Sequence, residues 1–219
     1  TIYGKGGVVQ RIEYLNVVRT VKVELCLALV QSIHAAKPDD RILIFSDSNE
    51  TLACVEQTLP AEKRAGMYTC KANDAAREVM LERLSSTAGA VLLIGTQAGG
   101  VGLQLEMANR VIMLDASWNP MNETQAIARS YRLGQTKEVF VYRLVGKDTI
   151  EDRIYRVGFV KKLVSAWLLD EESTKNPYTK EQIDTFGVDN EEQHPMHMKE
   201  LARRDSILST VAKDEKLIV

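Results

Sequence analysis

The stretch from Ala90 to Val145 restricts the fold more than any other part of the chain, because three short apolar runs recur within it. Residues 90–94, 110–114 and 139–144 are rich in Val, Ile and Leu and are bounded by Gly, Asp or charged residues. Apolar character without alternation means strands covered on both faces, the condition of a parallel sheet. After the first run comes Gly99-Gly100-Val101-Gly102, and after the second comes Asp115-Ala116-Ser117-Trp118-Asn119-Pro120. Both loops follow a strand's carboxyl end, where open α/β sheets bind ligands. Between Pro120 and Gly134 the chain lacks Pro and Gly and suits a helix. Gln125, Arg129 and Arg132 stand there at i, i+4 and i+7, which predicts one shared face.

The flanking sequence repeats the same alternation. Residues 20–36 predict an amphipathic helix with Val21, Leu25, Ala28, Leu29 and Ile33 on its apolar side. Residues 41–45 (RILIF) predict a buried strand, and Ser46-Asp47-Ser48-Asn49 can cap a helix over 50–59 that Pro60 follows. Residues 66–70 are a weaker strand, and Asn73 or Asp74 can cap a helix that buries Ala76, Met80 and Leu84. Residues 148–169 read as a long helix with Ile150, Ile154, Val157, Val160, Val164 and Leu168 on one side, able to pack back as a brace. The fold class is therefore α/β, a parallel sheet with helices on both faces followed by a C-terminal helical brace. The expected organisation is a flexible leading segment over 1–19, a lobe over 20–147, the brace over 148–170, and an acidic tail with short helices over 171–219.

A chain of 219 residues with 45% apolar content can bury a real core. Its net charge of -2 conceals a split: residues 129–162 carry nine basic residues against four acidic ones, whereas residues 170–192 carry eight acidic residues against two lysines. A basic surface beside an acidic tail permits a polyanionic partner without requiring one. Cys26, Cys54 and Cys70 are widely spaced and form no C-x-x-C pair, so neither a disulfide framework nor a zinc site is indicated. No run has membrane-spanning length, and no membrane partner is expected. The chain begins at Thr1 rather than Met, which reads as a fragment or a processed product. Gly4-Lys5-Gly6-Gly7 lacks the spacing of a P-loop. His194 and His197 have no further ligands near them in sequence, and no nucleophilic triad stands out. No metal site is expected.

Each remaining candidate has an ordinary structural reading beside its functional one. The glycine cluster suits a phosphate or ribose, since bare backbone amides can approach an anion, but a tight turn uses glycines too. A dinucleotide fingerprint would need a third glycine where Leu105 stands. Two arginines a turn apart suit phosphate oxygens through paired hydrogen bonds, or they lie on a solvated, salt-bridged face. Trp118 could stack on a base or a sugar, or anchor the core.

In order, Thr96-Gln97-Ala98-Gly99-Gly100-Val101-Gly102-Leu103-Gln104-Leu105, Asp115, Trp118-Asn119-Pro120, Gln125-Ala126-Ile127-Ala128-Arg129-Ser130-Tyr131-Arg132-Leu133-Gly134-Gln135, Val141-Tyr142-Arg143-Leu144 and Thr149-Ile150-Glu151 resemble the Swi/Snf-type ATPases of helicase superfamily two. The resemblance is to their second, RecA-like lobe and runs from about Val21 to Leu169. RILIFSD stands at motif IV, the glycine loop at motif V and residues 125–135 at motif VI. Tyr131 in place of a commoner His, with Thr136-Lys137-Glu138-Val139-Phe140-Val141-Tyr142, resembles the ATRX-like subgroup.

The resemblance implies that Arg129 and Arg132 act as arginine fingers on ATP held by the first lobe, an effect of roughly a thousandfold or more in phosphoryl transfer. It implies that Gln125 orders the γ-phosphate and that Gly102 and Gln104 lie near the ribose. Ser46, Thr96, Gln97, Trp118 and Asn119 match positions that track the backbone of double-stranded DNA, a mode that binds without reading sequence. Three departures bear on this. Asp47 stands where Gln is usual, Gln97 where many members have Arg, and Gln104 where Asn is usual; the first two make the DNA track less cationic.

Neither a Walker A lysine loop nor an Asp-Glu metal-binding motif occurs in the sequence. ATP and Mg²⁺ are accordingly expected to be held mainly by an N-terminal RecA-like lobe, and the lone chain is expected to be inactive. The implied setting is a nuclear DNA translocase acting on nucleosomes or other DNA-bound proteins. Two rivals stand against it: a partnerless, non-catalytic module that binds DNA or protein, and a Rossmann-type metabolic enzyme.

Overall fold

The computed structural model describes residues 2–3, 9–10, 20–98, 103–146 and 148–169. Ile2–Tyr3 (β1) pairs antiparallel with Val9–Gln10 (β2), so the leading segment carries a short ladder. The lobe then runs Val21–Ala36 (α1), Ile42–Ser46 (β3), Asn49–Thr58 (α2), a 3-10 turn at Ala61–Lys63, Arg64–Tyr68 (β4), Asp74–Ser86 (α3), Val91–Gly95 (β5), Arg110–Met113 (β6), Pro120–Ala128 (α4), Phe140–Arg143 (β7) and Ile150–Leu169 (α5). Strands β3 to β7 form one sheet in the order β4-β5-β3-β6-β7. Every pairing in it is parallel.

Strand alternation sorts the core into two layers. Ile42, Ile44, Val91, Leu93 and Ile112 meet Cys26, Val30 and Ile33 of α1 and Leu52 and Val55 of α2 on one face. Leu43, Phe45, Leu92, Ile94, Val111 and Met113 meet Leu84 of α3 and Ala126 of α4 on the other. The parallel sheet with helices on both faces is therefore the observed architecture, and the central strands β3, β5 and β6 are buried along their whole length. The starts of α2 and α3 follow the expected polar residues, and Thr20, expected inside the first helix, caps α1. Thr20 Oγ1 accepts from the Val23 N–H at 3.4 Å, Ser48 Oγ from Thr51 N–H at 3.1 Å, and Asn73 Oδ1 from Ala76 N–H at 2.8 Å.

Several local expectations are corrected. Helix α1 buries Val23, Cys26, Leu27, Leu29, Val30 and Ile33, while Val21 is exposed and Leu25 and Ala28 are only partly covered. Its sequence is apolar nearly all round, so periodicity alone does not select the buried stripe. Strand β4 lies two residues earlier than expected, with an irregular register between Arg64 and Gly66. Gly66 there has φ +138, and a Cβ would meet Met80 Cγ at 2.7 Å, so Gly sits at a bend instead of opening the strand. Of the predicted stripe on α3 only Leu84 is fully buried, with Ala76 and Met80 half-buried. On α5, Ile154 of the predicted stripe is buried, together with Gly158, but Ile150 and Val157 are exposed, so the buried side of the first turns is rotated from the predicted one. The acidic tail, His194 and His197 lie outside the described residues.

The amino edge of the sheet carries a polar knot. Arg110 Nε donates to Asp40 Oδ2 at 2.8 Å, and Lys137 Nζ to Asp40 Oδ1 at 3.0 Å. The Arg110 guanidinium also donates to the Tyr142 hydroxyl and lies 4.0 Å from the centre of the Phe140 ring. This knot joins the loop before β3 to β6 and β7, and it leaves the opposite, carboxyl edge to the candidate site. Among the described residues no helix is long and apolar enough to cross a membrane.

Candidate functional site at the carboxyl edge of the sheet

Parallel strands bring the ends of β3, β5, β6 and β7 to one edge, where Ser46, Asp47, Thr96, Gln97 and Asp115–Asn119 sit, whereas α4 runs back from that edge and the turn after it is tied to Ala108, just before β6. Asp115, just past β6, is the hub. Its Oδ2 accepts from the Ser46 hydroxyl at 2.6 Å and from the Asp47 N–H at 2.8 Å. Ser46 Oγ in turn accepts from the Ser48 N–H at 3.1 Å, and the Thr96 N–H donates to the Ser46 carbonyl at 3.1 Å. The Thr96 hydroxyl donates to the Asp47 carboxylate. Ser46 is 1% exposed. Its hydroxyl, expected on a DNA track, here donates to Asp115, and the side chain is buried. Gln97 is exposed and Thr96 half-exposed beside it.

The loop after Asp115 turns outward. Trp118 is 63% exposed, which excludes the core-anchor reading of its indole. Asn119 caps α4, its Oδ1 accepting from the Met121 N–H at 3.1 Å, and Pro120 follows at the first helical position, where its missing N–H costs nothing.

Helix α4 ends at Ala128 with Arg129 as its C-cap, so the expectation of one helical face for Gln125, Arg129 and Arg132 is corrected. The chain leaves the helix through Ser130, which is buried, and turns back at Gly134 with φ +109. Arg132 lies on this exposed turn between Tyr131 and Leu133, both large side chains left open to solvent. Gln125 and Arg129 remain related. Arg129 keeps helical dihedrals, and at about 100° per residue the two differ by roughly 40° in azimuth. The Arg129 carbonyl accepts from the Leu105 N–H at 3.2 Å, tying the end of α4 to the segment after the glycine loop. Gln135 closes the turn, its Nε2 donating to the Ala108 carbonyl at 2.9 Å. Gln104 is exposed, while Gly102 and the rest of Gly99-Gly100-Val101-Gly102 lie outside the described residues.

Two ion pairs that sequence reasoning missed support this edge. Glu123 of α4 pairs with Arg143 at the end of β7. Lys22 of α1 donates to the Leu114 carbonyl at 2.8 Å and to Glu151 Oε1 at 2.6 Å, while Glu151 Oε2 accepts from the Gly146 N–H at 3.0 Å. Thr149 Oγ1 accepts from the Glu151 N–H at 3.2 Å, so Thr149-x-Glu151 is a helix-start signal that was readable. Nothing in sequence spacing pairs Glu123 with Arg143. Among the described residues no group of three or more His, Cys, Asp or Glu could hold a metal ion.

Residues 21–134 match the helicase conserved C-terminal domain. The chain is 31% identical over 188 residues to Protein CHROMATIN REMODELING 20 of Arabidopsis thaliana, covering 78% of this chain and 13% of that protein. It is 29% identical to the Transcriptional regulator ATRX homolog of Drosophila melanogaster, covering 96% of this chain and 18% of that protein. In structure it is similar to the C-terminal part of the Fun30 ATPase domain, with TM-score 0.60 and 28% identity over 68% of this chain and 48% of that one. The chain thus spans less than a fifth of either curated relative. With its all-parallel five-stranded sheet and its ordered motifs, the chain belongs to the helicase conserved C-terminal domain family as a second RecA-like lobe of the Swi/Snf type.

Proposed function

We propose that this chain is the C-terminal motor lobe of a DNA-dependent ATPase and translocase, supplying arginine fingers to ATP bound by an N-terminal RecA-like lobe. The observation that carries the reading is that Gln125, exposed on α4, and Arg129, the half-buried C-cap of that helix, share one side, with Arg132 exposed on the turn beyond. Two guanidiniums and an amide suit phosphate oxygens, which accept paired N–H donors. Bound with Mg²⁺, ATP supplies the phosphoryl group. Arg129 and Arg132 place positive charge where negative charge grows during transfer, and Gln125 orients the γ-phosphate end. Gly102 and Gln104 are the proposed ribose contacts.

On the DNA side, Gln97, Thr96, Trp118 and Asn119 contact the backbone of double-stranded DNA, and Ser46 acts through Asp115 instead of touching it. Nucleosomes or other chromatin proteins are the proposed targets, in the nucleus, in keeping with what the relatives' names describe. Mixing the chain with a Swi/Snf-type first lobe, Mg²⁺, ATP and DNA should restore turnover that Arg129→Ala or Arg132→Ala lowers roughly a thousandfold. Turnover indifferent to both arginines would overturn the reading.

A second reading, a lobe that binds DNA or protein without hydrolysis, is favoured by one observation. Asp47 and Glu50 are exposed and Asp115 half-exposed at the very edge where a phosphate backbone would run. Tight, salt-dependent DNA binding by the lone chain would favour that module.

A further inference from the structure

Helix α4 is short, and among its described side chains Ala126 is the one fully buried apolar residue, so hydrophobic packing fixes its rotation weakly. We infer that Glu123 and Arg143 form a positioning pair that sets the azimuth of α4 and thereby aims Gln125 and Arg129; this rests on the proposed arginine-finger reading.

The geometry runs as follows. Arg143 ends β7 in register with Met113 of β6, and the Leu144 N–H donates to the Met113 carbonyl at 3.0 Å, so its backbone belongs to the rigid sheet. The Arg143 Nε reaches the Glu123 carboxylate, with side-chain exposures of 31% and 13%. A pair this shielded keeps much of its strength, and guanidinium geometry fixes direction as well as distance. Around the helix, Glu123, Ala126 and Ile127 share the inner side, at i, i+3 and i+4. At about 100° per residue, Gln125 and Arg129 lie roughly 200° and 240° from Glu123, on the opposite side. Anchoring Glu123 inward therefore turns Gln125 and Arg129 to the opposite side of the helix, where Gln125 is exposed and Arg129 is half-buried with its Nε enclosed. The Leu105–Arg129 backbone bond holds the far end of the same helix, so the pair controls rotation where that bond controls reach. A sub-ångström error in such a ligand is costly, since about 1 Å of misplacement costs on the order of a hundredfold.

The test uses the full chain with a Swi/Snf-type first lobe, Mg²⁺, ATP and DNA. Arg143→Ala and Glu123→Ala should each lower kcat roughly ten- to a hundredfold with KM for ATP little changed. The swapped pair, Glu123→Arg with Arg143→Glu, should recover most of the loss. Exchange of the Leu105 amide in the lone chain should quicken in both single variants and slow again in the swap. Unchanged kcat in the singles, no recovery in the swap, or a kcat loss that only tracks the folded fraction in a melt would each overturn the positioning role. Turnover untouched by Arg129→Ala would overturn the finger reading itself, and the positioning role with it.

Discussion

Asp40→Asn removes the one anion in the knot at the amino edge while keeping its shape. Side-chain exposure is 9% for Asp40 and 4% for Arg110, so the guanidinium, which loses its counter-charge and keeps the neutral Tyr142 hydroxyl, has almost no access to water. Breaking a buried pair from one side costs about 3–5 kcal/mol. The Phe140 ring remains 4.0 Å below the guanidinium and offsets about 1 kcal/mol of that. The net loss is about 2–4 kcal/mol, and since about 1 kcal/mol moves the Tm of a domain of this size by about 2–4 °C, a fall of about 10 °C is expected. Acid should narrow the gap. Burial raises the pKa of Asp40, but hydrogen bonds from Arg110, Lys137 and Asn109 outweigh it and hold the carboxyl below its ordinary value. Its stabilisation is therefore full above the unfolded pKa of about 4 and is lost as pH falls through the lower folded value. Circular-dichroism melts of both proteins from neutral pH downward measure this directly. A Tm change below about 2 °C at neutral pH, or a gap that widens on acidification, would refute the reasoning.

Asp47→Asn removes a carboxylate from the proposed DNA track and leaves the Thr96 hydroxyl an acceptor. DNA affinity at low salt should rise several-fold, with log K falling more steeply against log salt by up to about 0.9 if one phosphate contact is gained; equal or weaker binding in a fluorescence-anisotropy titration would count against a DNA path along this edge. Lys22→Met and Glu151→Gln should each destabilise the chain by about 1–2 kcal/mol, because both partners are mostly shielded and Lys22 also serves the Leu114 carbonyl. A denaturation double-mutant cycle should give a coupling of at least about 0.5 kcal/mol, and zero coupling would mean that the α1–α5 link carries no stability.

Where burial is complete on both faces, the sequence was explicit. Strands β3, β5 and β6 are almost wholly apolar because helices cover both sides of the sheet. The ends of helices were legible where one polar side chain caps them, as at Ser48 and Asn73. The stripe of α1 was not, because an almost wholly apolar helix has no periodic contrast to read. The Arg129–Arg132 relation misled for a different reason: residues 121–133 contain no breaker, and the helix stops because buried Ser130 and the turn at Gly134 pull the chain aside. At the site, sequence order named the edge loops correctly but not their internal bonds. That Ser46 faces Asp115, or Glu123 faces Arg143, depends on strand order, which residue spacing does not encode.

The hydrogen bond from the Leu105 N–H to the Arg129 carbonyl makes two halves of a proposed nucleotide site into one lever. Leu105 is next in sequence to Gln104, on the proposed ribose side, and Arg129 stands on the phosphate side. If contact at either end selects the arrangement in which this bond is made, each end favours occupancy of the other by the same factor, because coupling free energy is reciprocal. The lobe would then discriminate a whole nucleotide from a bare polyphosphate through cooperation between its ends, with neither end needing a strong affinity of its own.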